Sequence, residues 1–104
     1  MTHVPNFVEC QPGTYIACTY DEEWYVGLIT ETPEECRDVY VKFMKRFNEL
    51  MLLWPQGYGN ECWVPFEDII CIISSPEPQG SRARQFKIKS TDYDLIVGKA
   101  TQRI

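Results

Sequence analysis

Histidine occurs once in the 104 residues, at His3. A Ser-His-Asp arrangement, a Cys-His pair or a multi-histidine metal site would have to be built around that single ring, which argues against nucleophilic and metal-assisted chemistry. The Gly-rich phosphate loop with a following lysine is missing, as is the nucleophile elbow of hydrolases. No apolar run approaches the roughly 18 residues that a membrane span needs. The opening MTHVPNFVEC lacks the basic-then-apolar pattern of a secretory signal. Cys10, Cys18, Cys36, Cys62 and Cys71 are an odd number, and no two have the close spacing of zinc ligands, so neither a zinc site nor a disulfide framework is expected. Cys18 and Cys71 sit inside apolar runs, where a free thiol behaves as a small hydrophobe. Free thiols point to a reducing compartment, the nucleus or alternatively the cytoplasm. A noncatalytic protein with no metal or cofactor is the expectation.

What the chain does hold is 44% hydrophobic and 13% aromatic residues, enough for one small packed domain and too much for global disorder. Its net charge of −5 is unevenly placed. Residues 1–81 carry 4 basic and 13 acidic side chains, a net of −9, and residues 82–104 carry 6 and 2, a net of +4. An acidic body repels phosphate backbones and suits a cationic partner.

Residues 1–12 form a lead-in. From Gly13 onward short β-rich runs alternate with turn residues: 14–20, 24–30, 38–43, 50–54, 62–64 and 69–73. The third run alternates, with Val39, Val41 and Phe43 on one face and Tyr40 and Lys42 on the other. Asp21, Glu22 and Glu23 supply a tight turn, and Pro65-Phe66-Glu67-Asp68 has the composition of one helical turn. No sustained helical periodicity occurs up to residue 73. The spacing predicts a mainly β fold, a small barrel or sandwich. Residues 74–81 read as a Pro/Ser linker, and 82–104 as a basic segment holding a short strand and then a helix beginning near Thr91.

Eleven large rings crowd the strand-rich stretch, among them Tyr20, Trp24, Tyr25, Phe43, Phe47, Trp54 and Trp63. A barrel of about 60 residues has too narrow an interior to bury them all, so some must lie at the surface or rim a cavity. Rings grouped at a barrel end beside carboxylates suit a methylated ammonium: the ring faces attract the cation and the carboxylate adds Coulomb attraction. The acids themselves cluster in turns, where a solvated surface is their ordinary role.

The string Gly13-Thr-Tyr-Ile-Ala-Cys-Thr-Tyr20-Asp21-Glu-Glu-Trp24-Tyr25-Val-Gly27, with Val39-Tyr-Val-Lys-Phe43 and Asn48 after it, resembles a Tudor domain. Chromo-barrel and PWWP domains are similar. The resemblance covers residues 13–73, and Trp63 to Ile69 looks like the short turn and closing strand of such barrels. It implies a five-stranded barrel with a C-terminal strand and helix appended. It also implies an aromatic cage for methylated lysine or arginine, on histone tails or other nuclear proteins. Position by position, the cage falls on Tyr20, Tyr25, Phe43 and Phe47, with Asn48 as polar partner and Asp21, Glu22 and Glu23 as acidic rim. Trp24 alternates with Tyr25 as a cage candidate, because neighbours on a strand face opposite ways.

Two departures from the family pattern stand out. Lys45 and Arg46 bring positive charge to the proposed mouth, and residues 50–59 are long and apolar, offering Trp54 and Trp63 as anchors of a hydrophobic groove instead. Two alternatives therefore stay open. One is a protein-interaction or self-assembly barrel without a methyl-ligand cage. The other is a nucleic-acid-associated module using Arg82, Arg84, Lys87 and Lys89, for which the barrel itself is unsuited.

Overall fold

A computed structural model describes residues 10–20, 23–32, 38–55, 59–79 and 85–103. In chain order these form β1 (Tyr15–Tyr20), β2 (Glu23–Glu31), β3 (Asp38–Phe43), β4 (Lys45–Arg46), β5 (Met51–Leu53), β6 (Glu61–Pro65), a single 3-10 turn (Phe66–Asp68), β7 (Ile69–Ile73), β8 (Glu77–Gln79), β9 (Gln85–Lys87) and α1 (Ser90–Arg103). The fold is mainly β, with two antiparallel sheets and a C-terminal helix.

The larger sheet runs β6-β3-β2-β1-β7. Its edge strands share no ladder with each other, so it remains open instead of closing into a hydrogen-bonded barrel. Gly13, at φ +95, turns the chain into β1 and donates its N–H to Ile29 C=O at 2.8 Å. Most residue types avoid that backbone region and glycine does not. Further along β2, Gly27 lies opposite Phe43, and a Cβ placed on it would run into Val41 Cγ1 and come within 3.1 Å of Lys42 C=O. The bare glycine lets β2 and β3 approach.

Apolar residues pack into a core on each face of this sheet, on the outer face only over β1, β2 and β7. One packs Ile16, Cys18, Ile29, Val39, Val41, Val64, Phe66 and Ile69 together with Cys10, the last residue of the lead-in within the described set. The other packs Ala17, Val26, Ile70, Cys71 and Ile73 against Met44, Leu52, Ile88, Ile96 and Ala100. The second core exists because the chain after residue 73 folds back. The smaller sheet runs β4-β5-β9-β8, joining the insertion after β3 to the C-terminal segment. The Pro/Ser linker reading is corrected here: Pro76 is buried, and Glu77–Gln79 is a strand paired with β9. Pro78 can sit in β8 because that strand is an edge, where a missing N–H costs no ladder bond.

The helix begins at Ser90 and presents Tyr93, Ile96 and Ala100 to the second core. The Ser74 N–H donates to Asp92 Oδ2 at 3.2 Å, tying the first helical turn to the end of β7. No helix among the described residues is long and apolar enough to cross a membrane.

Two substitutions test this packing. Gly27→Ala forces the Val41 side chain or the β2–β3 backbone to shift, so a loss of about 1–3 kcal/mol is expected by urea denaturation. Ile96 is fully buried, so Ile96→Ala should cost about 2–5 kcal/mol in the same measurement. A free appendage would show no change.

Candidate functional site

The end of β1 pairs with the start of β2 in a register that sets Tyr20 opposite Glu23 and Cys18 opposite Tyr25. Tyr20 and Tyr25 therefore lie on the same face of the sheet. Phe43, closing β3 opposite Gly27, is the diagonal neighbour of Tyr25 and packs on the edge of the first core. Ring centroids are 6.3 Å apart for Tyr20–Tyr25, at an interplanar angle of 64°, and 6.1 Å for Tyr25–Phe43, at 74°. Two successive edge-to-face contacts make a corner of three rings with Tyr20 largely exposed. The Tyr25 hydroxyl donates to Glu23 Oε2 at 3.1 Å, which holds a carboxylate at the rim. Asp21 and Glu22 lie outside the described residues.

This corner borders an open cleft of about 840 Å³, which strand β6 also lines. Lys45 and Arg46 also border it. The Arg46 guanidinium carbon lies 3.9 Å from the Trp24 ring centroid, while Tyr93 meets Trp24 edge-on at 6.0 Å. Trp24 thus faces the second core and carries the protein's own cation.

The structure does not bring Phe47 or Asn48 into the cleft wall. Asn48 Oδ1 accepts hydrogen bonds from the Leu50 and Met51 N–H groups at 3.1 and 3.0 Å, and the Phe47 N–H donates to Met51 C=O. Both residues build the turn between β4 and β5, and the Phe47 ring is left exposed. Asparagine favours that role because its side chain caps nearby backbone N–H groups.

The two tryptophans offered as groove anchors have different ring partners. Trp54 packs on Phe86 at 6.3 Å beneath Lys42 Nζ, 5.1 Å from its centroid. Trp63 meets Tyr40 in a tilted contact, centroids 5.0 Å apart at 57°, on the outer face of the large sheet. Sequence reasoning passed over Tyr40, Glu61 and Cys62 in this region. Their signal was the alternation of the third run, which sends Tyr40 outward.

Burial pushes the Cys18 thiol up to about 12, with the nearby Cys62 and Asp68 acting in the same direction. Burial also raises Cys62, which is nevertheless exposed at the cleft. Tyr40 is raised by partial burial and then by Glu61, the carboxylate its hydroxyl bonds at 3.3 Å. Among the described residues no group of three His, Cys, Asp or Glu side chains is arranged to hold a metal ion.

The chain matches no protein-family model, no curated protein and no solved structure.

The Cys18 thiol gives a pH prediction. Its raised folded-state value means the unfolded chain loses this proton first, above its ordinary value of 9.0. The fold's stability is therefore intact below that pH and falls as pH rises toward 12. Denaturant midpoints measured between neutral pH and about pH 10 should drop more for the native chain than for Cys18→Ala. Equal slopes would refute the assignment.

Proposed function

We propose that residues 13–73 are a Tudor-like, noncatalytic binding module whose cleft takes a cationic, methylated lysine or arginine side chain from a partner peptide. Tyr20, Tyr25 and Phe43 form the aromatic wall and Glu23 the acidic rim. The observation that carries this reading is the run of two edge-to-face ring contacts at the mouth of an open cleft, beside a carboxylate. Ring faces attract cations, and a methylated ammonium suits them because its methyl groups replace hydration that a bare ammonium would lose.

The fold supports the Tudor-like reading in its strand order. A meander through β1, β2, β3 and β6 is followed by one 3-10 turn and a strand that returns beside β1. The proposed wall is smaller than the resemblance implies, since Trp24 carries Arg46 and the β4–β5 turn holds Phe47 and Asn48. The partner we propose is a basic nuclear peptide of the histone-tail type. A phosphate-binding strip on the C-terminal segment has less support: Lys87 lies in the interior strand β9 with Glu77 as its cross-strand neighbour.

Calorimetric titration with trimethyl-lysine, dimethyl-arginine and unmodified basic peptides tests the proposal. A methylated peptide should bind more tightly than its unmodified form, and Tyr25→Ala or Phe43→Ala should weaken it roughly tenfold. Binding indifferent to methylation, or untouched by both substitutions, would overturn it.

A further inference from the structure

Strand β6 is an edge of the large sheet, paired with β3 alone among the described strands. The Phe43 N–H donates to Asn60 C=O at 2.8 Å, which fixes the phase of the β3–β6 ladder. Bonded pairs alternate in an antiparallel ladder. Val41–Cys62 and Val39–Val64 are therefore bonded pairs, and the backbone N–H and C=O groups of Glu61 and Trp63 point away from β3. All five residues of β6 border the cleft. Pro65 ends the row of donors because it has no N–H.

The outer face of this edge has its own chemistry. Glu31, Tyr40 and Trp63 form a cross-strand row. Trp63 is 48% exposed, the Tyr40 ring backs it at 5.0 Å, and the Tyr40 hydroxyl bonds Glu61 Oε2. Lys42, directly across from Glu61, turns its ammonium over Trp54 instead of pairing with that carboxylate. The exposed indole thus has Glu61 two residues away on its own strand and Glu31 at the far end of the cross-strand row, and among the described residues no lysine or arginine is paired with either carboxylate.

We infer that β6 docks an extended, arginine-bearing peptide by strand addition. The peptide lies in the cleft as a sixth strand, bonding the outward backbone groups of Glu61 and Trp63. Its residue opposite Trp63 continues the row Glu31–Tyr40–Trp63 on the same face. Arginine fits that position: its planar guanidinium stacks on an indole while forking to a carboxylate, which an ammonium cannot do. The inference rests on the cleft being a peptide site but not on the Tyr20–Tyr25–Phe43 corner, so the two can fail separately.

The test is an amide NMR titration of the full chain with three short capped peptides. One alternates threonine and valine around a central arginine, one carries neutral citrulline in its place, and one carries N-methyl groups on the amides that would face β6. The arginine peptide should shift the amides of Glu61 to Val64 and the Trp63 indole N–H. Citrulline, or Trp63→Ala in the protein, should weaken binding roughly tenfold, and backbone methylation should abolish it. The paired change Glu31→Gln and Glu61→Gln, which leaves the indole in place, should reproduce the citrulline loss. Leu95→Ala, at an exposed helix position outside the cleft, should leave the affinity within about twofold. Equal binding of the citrulline or N-methylated peptide overturns the inference, as do shifts confined to Tyr20, Tyr25 and Phe43. Concentration-dependent Trp63 shifts without peptide would also overturn it, because the edge would then belong to a second copy.

Discussion

Strands β1, β2 and β7 are apolar on both faces, and the rest of the molecule is arranged around that constraint. Ile16 and Cys18 belong to one core while Ala17, between them, belongs to the other. Ile29 and Val26 divide in the same way, as do Ile69 and Ile70. An isolated small barrel has one apolar face inside and a polar face outside. Here the outer face would leave Val26, Ile70 and Ile73 in water, each costing about 1.5–3 kcal/mol relative to burial. The insertion after β3 and the segment after β7 remove that cost by covering the outer face with a second sheet and a helix.

That second layer divides the adjacent aromatics Trp24 and Tyr25 between two tasks. They project to opposite faces of β2. Trp24 meets the second layer, where Tyr93 of α1 and Arg46 of β4 enclose its ring. Tyr25 is left on the cleft side with Tyr20 and Phe43. The Arg46 guanidinium at the cleft thereby lies over an aromatic face of the protein itself. Gly27 acts on the same geometry, because its missing side chain lets β3 close in and bring Phe43 beside Tyr25.

The strands of the large sheet were legible because β-branched and aromatic runs coincide there with turn residues at close intervals. Phe66–Asp68 was legible as a helical turn from its proline and acids. β4 and β8 were not. Each is two or three residues long and is specified by tertiary pairing, Arg46 with Leu52 and Pro78 with Phe86, more than by local preference. The alternation through Gln85-Phe86-Lys87-Ile88 did signal a half-buried strand, while the prolines before it read as a linker because composition does not reveal an edge. Tyr20, Tyr25 and Phe43 come together in two successive ring contacts. Phe47 and Asn48 do not, since an asparagine beside an aromatic reads equally as a ligand group or as the cap of a turn, and only the β4–β5 pairing decides.

The −9 and +4 halves of the sequence fold into one unit, so a whole-molecule field of −5 accelerates the approach of a cation without selecting one. Selection falls to groups within a few ångströms, because solution ions screen exposed charges beyond about 8–10 Å. Lys45 and Arg46 border the same cleft as Glu23 and set a local positive charge against any incoming cation. A strongly hydrated lysine ammonium gains little from entering such a place, since it gives up water and meets repulsion. A methylated ammonium or a guanidinium is more weakly hydrated and draws more of its binding from ring faces. Arg46 therefore raises the threshold for ordinary lysine more than for the cations that aromatic rings hold best.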